Sequence, residues 1–172
     1  MDYLLIDQDS ELHHRSADDY TTALDDCGPE GWNRIQLTRD LAAFVNDASL
    51  IMPKYHRNVT GGLVLMALGA HRMPYAGPIV LTGWDGAATH QDRAEVTGLT
   101  PMQVGLVHVV YDMVTASRPP TGSPRRCYAS ESWSPLEIAT SADEYYAITP
   151  TPELAEMLAW HAELSSDLDR KD

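Results

Sequence analysis

The chain has 172 residues, 44% of them hydrophobic and 22% charged, and its 25 acidic and 12 basic residues give a net charge of −13. This composition predicts one globular domain over residues 1–172 and excludes disorder over most of the length, because so apolar a chain can offset the entropy lost on folding. The longest apolar stretches, 63–70 and 104–111, are far shorter than the roughly 20 residues that a membrane span needs.

Most of the negative charge lies at the two ends of the chain. Residues 1–30 hold nine acids and one base, residues 31–130 six acids and nine bases, and residues 131–172 ten acids and two bases. The acidic ends either form one negative face or project as two, and in both cases they repel DNA and anionic lipid. Direct binding of nucleic acid or membrane is therefore not expected, and acidity that only keeps the protein soluble is the alternative.

The start of the chain predicts a cytoplasmic protein that opens with a β-hairpin. Its early aspartates occupy the place where a signal peptide carries lysines. Residues 3–6 and 11–14 flank a polar turn, which is typical of two paired strands. Ser16 is expected to cap a helix over residues 17–27 that ends before Gly28.

Three further strands are predicted in the first half of the chain. Residues 32–38 alternate between apolar and polar side chains, as a half-buried strand does. Residues 41–45 are expected to form a strand that pairs with another through the Asn46–Asp47 turn. Residues 78–82 are a short β-branched run between glycines, which indicates a strand covered on both faces.

Three more helices have recognisable first residues. Asn58 is expected to cap a helix through Leu68 whose apolar side chains point in every direction, so that most of its sides are buried. Thr100 precedes Pro101 and caps a helix to about residue 117, and Pro152 opens the last helix, to about residue 168.

The segment between the last two helices is expected to begin with an exposed loop at residues 118–126, rich in proline and glycine. A strand at 127–133 and a capping box at 141–144 are predicted to follow. Together these elements predict the α+β class: a single domain with a mixed or antiparallel sheet and three to four helices.

One stretch of the chain carries a family resemblance. Asn58 and its apolar helix are followed by the run Tyr75-Ala76-Gly77-Pro78-Ile79-Val80-Leu81-Thr82-Gly83, and Leu4-Leu5-Ile6-Asp7 opens the chain. This arrangement resembles a family of small proteins of unknown function from phages and plasmids of actinobacteria, over about the first half of the chain. The resemblance implies a mobile genetic element and no catalytic residues. Phage proteins of this size and acidity include antirestriction inhibitors that imitate the phosphates of DNA.

The predicted helix from Pro101 carries one narrow polar stripe that contains His108 and Asp112. An aspartate four residues from a histidine can orient the imidazole, which is half of a nucleophile-activating arrangement. No nucleophile is identifiable, so these two residues are catalytic or ligand-binding candidates only in an alternative hypothesis. Gly61 and Gly62, in the first turn of the preceding helix, could hold an anion, although close packing explains them as well.

The seven histidines and two cysteines predict no metal site and no cofactor. The histidines lack the spacings of known zinc motifs, and His13 and His14 alternate across a strand, so that both cannot face one ion. Cys27 and Cys127 lack a close spacing and are expected to be reduced.

The C-terminal helix has two distinct faces. Its apolar stripe predicts a seam that faces either the core or a second copy of the chain, and consists of Leu154, Met157, Leu158, His161, Leu164 and Leu168. The opposite face holds Trp160 among Glu153, Glu156, Glu163 and Asp167. A tryptophan ringed by carboxylates is typical of an interface anchor, unless another segment of the chain covers it.

These patterns favour a non-enzymatic phage or mobile-element accessory protein that binds a host protein and inhibits or regulates it through an acidic surface. A nucleic-acid-handling host protein with a basic cleft is one such partner, and DNA mimicry one such mode. The predicted binding residues are Asp18, Asp19, Glu153, Glu156, Trp160, Glu163 and Asp167. Two alternatives stand beside this hypothesis: a small enzyme or ligand-binding domain that uses His108 and Asp112, and a self-associating structural protein that dimerises through its last helix.

Overall fold

The computed structural model describes residues 1–85, 95–117 and 151–168, with the backbone alone for residues 95 and 162–168. Within these ranges the elements in chain order are β1 (Asp2–Ile6), β2 (Leu12–Ser16), α1 (Tyr20–Asp25), β3 (Trp32–Gln36), β4 (Leu41–Asn46), α2 (Val59–Ala67), β5 (Ile79–Asp85), β6 (Glu95–Thr97), α3 (Pro101–Ala116) and α4 (Pro152–Leu168). The predicted α+β class is confirmed.

The strands form one sheet in which every described pair is antiparallel. Its order is β2-β1-β5-β4-β3, and β6 also pairs with β5. The central strand β5 is buried along its first five residues, as predicted for the run 78–82. Its Val80 lies opposite both Leu5 of β1 and Phe44 of β4, which fixes the register of the sheet.

The two faces of the sheet bury two separate apolar clusters. Leu4, Ile6 and Leu81 point to one face, where they pack with residues of α2, α3 and α4. Their neighbours Leu5 and Val80 point to the other face, where they pack with α1. Because successive side chains of a strand alternate between faces, α1 lies on one side of the sheet and the other three helices on the opposite side.

Two of the predicted helix starts are confirmed in detail. Asn58 caps α2, and eight of the nine residues of this helix are buried. Thr100 caps α3 through a complete capping box with Gln103, and Pro101 occupies the first turn. The last predicted helix is also found, as α4, and begins at Pro152.

The predicted cap of the first helix is wrong. Ser16 belongs to β2, where it lies opposite Asp2, and the ladder with β1 therefore continues through the residue that was expected to start a helix. The helix begins only at Tyr20, with Asp19 as its cap: the Asp19 carboxylate accepts a hydrogen bond from the Thr22 N–H at 2.8 Å. Gly28 lies beyond its end with a positive φ of 111°.

The predicted pairing of the strand at 41–45 is also wrong. β4 follows β3 in a hairpin whose turn lies at residues 37–40, and its other neighbour is β5. The N–H groups of Leu37 and Thr38 both donate to the Leu41 carbonyl and close this turn. Asn46 ends β4 instead of leading into a paired strand, because its buried amide bonds to the Cys27 carbonyl.

Outside its predicted polar stripe, α3 is only partly buried. Its buried residues are Gln103, Val107, Val110 and Val114. Leu106 and Val109, which lie outside the predicted polar stripe, are nevertheless exposed, and so is Met102, at 84%. One apolar stripe therefore suffices to attach α3 to the core.

Several predicted features lie outside the described residues, namely the loop at 118–126, the strand at 127–133, the capping box at 141–144 and Cys127. Cys27 is a free and buried thiol, and burial raises its pKa to about 12. Among the described helices, none is long and apolar enough to cross a bilayer.

Asn58 joins α2 to two strands of the sheet. Its side chain is fully buried, and its Oδ1 accepts a hydrogen bond from the Gly61 N–H at 2.8 Å. Its Nδ2 lies at hydrogen-bonding distance from three carbonyl oxygens, those of Ile6 (3.3 Å), Asp7 (3.1 Å) and Gly77 (2.9 Å). These carbonyls stand at the end of β1 and just before β5.

We expect the substitution Asn58→Ala to lower the free energy of unfolding by about 2–4 kcal/mol, because it removes a helix cap and leaves buried carbonyls unpaired. Equilibrium unfolding in urea measures the change. Asn58→Asp keeps the capping oxygen but turns a second oxygen towards the carbonyls, and should destabilise at least as much. The control Asn33→Ala removes an exposed amide of β3 that bonds to the exposed Asp47 carboxylate, and should change the free energy by less than about 1 kcal/mol. An Asn58→Asp protein as stable as the wild type would contradict this role.

Candidate functional site

The C-terminal helix α4 is held against the domain at its first turn. Leu154 is fully buried in the cluster beneath the helical layer, and Met157 and Leu158 pack against the same cluster. The Thr151 N–H donates to the Ser117 hydroxyl at 2.8 Å, which ties the start of α4 to the end of α3. The described part of the apolar seam therefore faces the chain's own core.

An open groove runs between α3 and α4. It has a volume of about 560 Å³ and is lined by Met113, Glu153, Glu156, Met157, Ala159 and Trp160. Trp160 is 58% exposed, and its ring stacks at a tilt on the imidazole of His161, with 4.8 Å between the ring centroids. The groove combines a broad aromatic surface with flexible methionine side chains, which adapt to differently shaped ligands.

Among the described residues, two charged side chains line this groove, and both are carboxylates, those of Glu153 and Glu156. Both lie on the exposed side of α4 in the turns before Trp160. A cation placed over the indole face would interact with the ring, and the neighbouring carboxylates would add charge-assisted hydrogen bonds. The groove is therefore suited to an arginine or lysine side chain.

The other predicted binding residues are not all part of this groove. Glu163 and Asp167 lie on α4, where their side chains fall outside the described residues. Asp18 and Asp19 precede α1, on the opposite side of the sheet from α4. Asp18 and Asp19 thus lie on a different surface from Glu153 and Glu156.

Several N-terminal carboxylates have partners within the domain. Asp19 caps α1, and the Asp26 carboxylate accepts hydrogen bonds from the Tyr3 hydroxyl at 2.6 Å and from Arg15 at 2.9 Å. Glu30 accepts hydrogen bonds from Lys54, Tyr55 and Asn46, the last at 2.9 Å. Part of the acidity at this end therefore stabilises turns and loops.

The candidate pair His108 and Asp112 lies on the exposed side of α3. No hydrogen bond or ion pair links these two described side chains. Neither residue lines the groove beside Trp160. The imidazole is therefore not oriented by the carboxylate in the way that the catalytic hypothesis requires.

The glycines at the start of α2 are explained by packing. Gly61 and Gly62 are both buried, and a Cβ atom on Gly61 would lie 2.6 Å from Cδ1 of Ile79. The Gly61 N–H is already used by the Asn58 cap. Close contact between α2 and β5 thus requires a residue without a side chain at position 61.

The sequence patterns did not predict one cluster of possible metal ligands. Asp7, Glu11 and His13 lie at the tip of the β1–β2 hairpin, and one ligand atom from each lies within 4.8 Å of the others. The hairpin was predicted, but known zinc motifs do not include its spacing. Only the strand register reveals the cluster, because it places Asp7 opposite Glu11 and puts His13 on the same face.

The chain matches no protein-family model, no curated protein and no solved structure.

Glu30 gives the domain a distinct acid response. Its hydrogen bond with Lys54, together with those from Tyr55 and Asn46, lowers its pKa from 4.5 to about 2, against the opposing effect of partial burial. A carboxylate whose pKa is lowered on folding stabilises the native state above its unfolded pKa, and this stabilisation is lost as the pH falls towards the folded value. The contribution is thus present above about pH 4.5 and declines towards about pH 2.

We expect Glu30→Gln to reduce stability at neutral pH and to weaken the pH dependence of unfolding between about pH 4.5 and about pH 2. Urea unfolding of variant and wild type at about pH 6 and about pH 3 measures both effects. The matched control is Asp25→Asn, which removes an exposed carboxylate from α1. If Asp25→Asn flattens the profile as much as Glu30→Gln does, general charge repulsion accounts for the acid response and the Glu30 contacts do not.

Proposed function

We propose that this chain is a non-enzymatic binding protein whose groove beside Trp160 receives a basic segment of another protein. The observation that carries the proposal is an indole that is 58% exposed beside two carboxylates. In the mobile-element setting that the resemblance implies, the partner is a host protein, which binding would inhibit or regulate.

The exposed tryptophan is the first support for this function. A tryptophan side chain can bury about 150–250 Å². At about 25 cal/mol per Å², covering its exposed part contributes about 3 kcal/mol to an association. Tryptophan is among the residues most enriched at the energetic centres of interfaces. The ring can therefore contribute substantially to the free energy of binding through a single contact.

The charge beside the ring determines which partner fits. Glu153 and Glu156 stand one helical turn apart, and the whole chain carries a net charge of −13. A basic partner would be steered towards the protein, and a basic side chain in the groove would meet both the indole and a carboxylate. Arginine fits better than lysine because its planar guanidinium stacks on aromatic rings and forms paired hydrogen bonds with carboxylates.

The other hypotheses have less support among the described residues. A DNA mimic needs free carboxylates along one surface, whereas Asp19, Asp26 and Glu30 bind within the domain. An enzyme that uses His108 and Asp112 would need them joined, and dimerisation through the apolar seam would need Leu154 free of the core. The sedimentation behaviour of the purified chain tests self-association directly.

The experiment starts with capture of proteins from an actinobacterial lysate on the immobilised wild-type chain. A protein that is retained is then purified, and its affinity is measured by calorimetry. We expect Trp160→Ala to weaken binding by about thirtyfold or more, which is the effect of removing an interface hot spot. Trp32→Ala is the matched control: Trp32 is 45% exposed but packs on Phe44, on the α1 side of the sheet.

The charge contribution is tested with a second pair of variants. We expect Glu153→Gln/Glu156→Gln to weaken binding and to reduce its dependence on salt between about 0.05 M and about 0.5 M. Asp18→Asn/Asp25→Asn removes the same charge from exposed positions at α1 and should leave the affinity nearly unchanged. Equal losses in both double variants would show that overall charge is sufficient. Full binding by Trp160→Ala would reject the groove as the binding site.

A further inference from the structure

The tip of the β1–β2 hairpin gathers three side chains of the kinds that bind metal ions. The Asp7 N–H donates to the Glu11 carbonyl at 3.0 Å, so these two residues face each other across the hairpin. His13 follows two residues after Glu11 and therefore points to the same face. Its Nε2 lies 2.7 Å from Oδ2 of Asp7, and one ligand atom from each of the three residues lies within 4.8 Å of the others.

We propose that Asp7, Glu11 and His13 form a binding site for a divalent transition-metal ion, with Zn²⁺ as the best fit. Each residue would supply one ligand atom, and water would complete the tetrahedral set. Ligands bound tetrahedrally at about 2.0–2.1 Å are about 3.4 Å apart. The ligand atoms here, spaced between 2.7 Å and 4.8 Å, reach that geometry through small side-chain rotations.

The charges at the tip favour a bound cation. Two carboxylates that face each other across an antiparallel pair repel, and the pair is destabilised. His13 bonds to Asp7, whereas the Glu11 side chain takes part in no hydrogen bond or ion pair with the described residues. A dication between the two carboxylates would turn this repulsion into attraction and give Glu11 a partner.

Hydrogen bonds hold the backbone at the tip of the hairpin in place. Oδ1 of Asp7 accepts hydrogen bonds from the N–H groups of Asp9 and Glu11, both at 2.9 Å, so Oδ2, which contacts Nε2 of His13, is the oxygen that would bind an ion. The Asn58 amide donates to the Asp7 carbonyl, and the Tyr111 hydroxyl donates to the Ser10 carbonyl at 2.8 Å. The backbone is thus held from the helical layer, so binding would order little more than side chains.

The ligand set indicates the class of ion. Ca²⁺ and Mg²⁺ prefer sites made entirely of oxygen ligands, whereas an imidazole nitrogen favours zinc and its neighbours in the transition series. Three protein ligands also leave one position open, as in catalytic zinc sites. None of these residues lines the groove beside Trp160, so the inference stands apart from the proposed function.

The test is calorimetric titration of the full chain with Zn²⁺, with Ca²⁺ and Mg²⁺ in parallel. We expect one Zn²⁺ bound per chain, in preference to the other two ions. Glu11→Gln and His13→Ala should each reduce the affinity by at least about tenfold, the lower end of what even an outer-shell partner contributes. Glu11→Gln leaves the hairpin intact, because Asp7 accepts its hydrogen bond from the Glu11 backbone and not from its carboxylate.

His14→Ala is the matched control, because His14 is the next residue of the same strand and points to the other face. It should bind Zn²⁺ as the wild type does, and the imidazole nitrogen resonances of His13 should shift on titration while those of His14 stay in place. The proposal is overturned if His14→Ala loses as much affinity as His13→Ala. It is also overturned if Glu11→Gln and His13→Ala bind normally, or if Ca²⁺ binds more tightly than Zn²⁺.

Discussion

The buried amide of Asn58 is the contact on which the arrangement of layers depends. Its oxygen caps α2, and its nitrogen reaches carbonyls at the end of β1 and before β5. These segments are far apart in the chain, yet one side chain joins them by hydrogen bonds. A shorter residue could not reach them and a charged one could not be solvated there, so the position tolerates little besides asparagine.

The other helices of the layer pack against α2. α2 is buried on nearly every side because α3 and α4 both pack against it, and Leu154 completes the cluster between them. α4 uses one stripe for this attachment, and a helix that is buried on one stripe must present its other side to solvent. Trp160 is exposed for that reason, and the groove beside it is a consequence of how α4 is attached.

The features that the sequence predicts well are local ones. The caps Asn58 and Thr100 and the apolar run of β5 depend on neighbours within a few residues, and all three were found where expected. The errors at Ser16 and at the partner of β4 arise from strand pairing, which no local pattern determines. The ladder between β1 and β2 extends through the residue predicted as a cap, and β4 pairs with the strand before it and with β5 instead of with a strand after the Asn46–Asp47 turn. The cluster at the hairpin tip depends on the register between β1 and β2, which the sequence pattern alone does not determine.

The acidity of the chain divides into two kinds of carboxylate. Carboxylates of the first kind have a role within the domain: Asp19 caps a helix, Asp26 accepts a hydrogen bond from a tyrosine, and Glu30 accepts one from a lysine. These roles do not depend on a binding partner. Glu153 and Glu156 stand on the outer side of α4 beside an exposed indole. Glu153 lies in the first turn of the helix, where a carboxylate also favours the helix dipole, but Glu156 has no such role. Net charge is therefore a poor measure of what the protein binds. The informative carboxylates are those whose position the fold does not require.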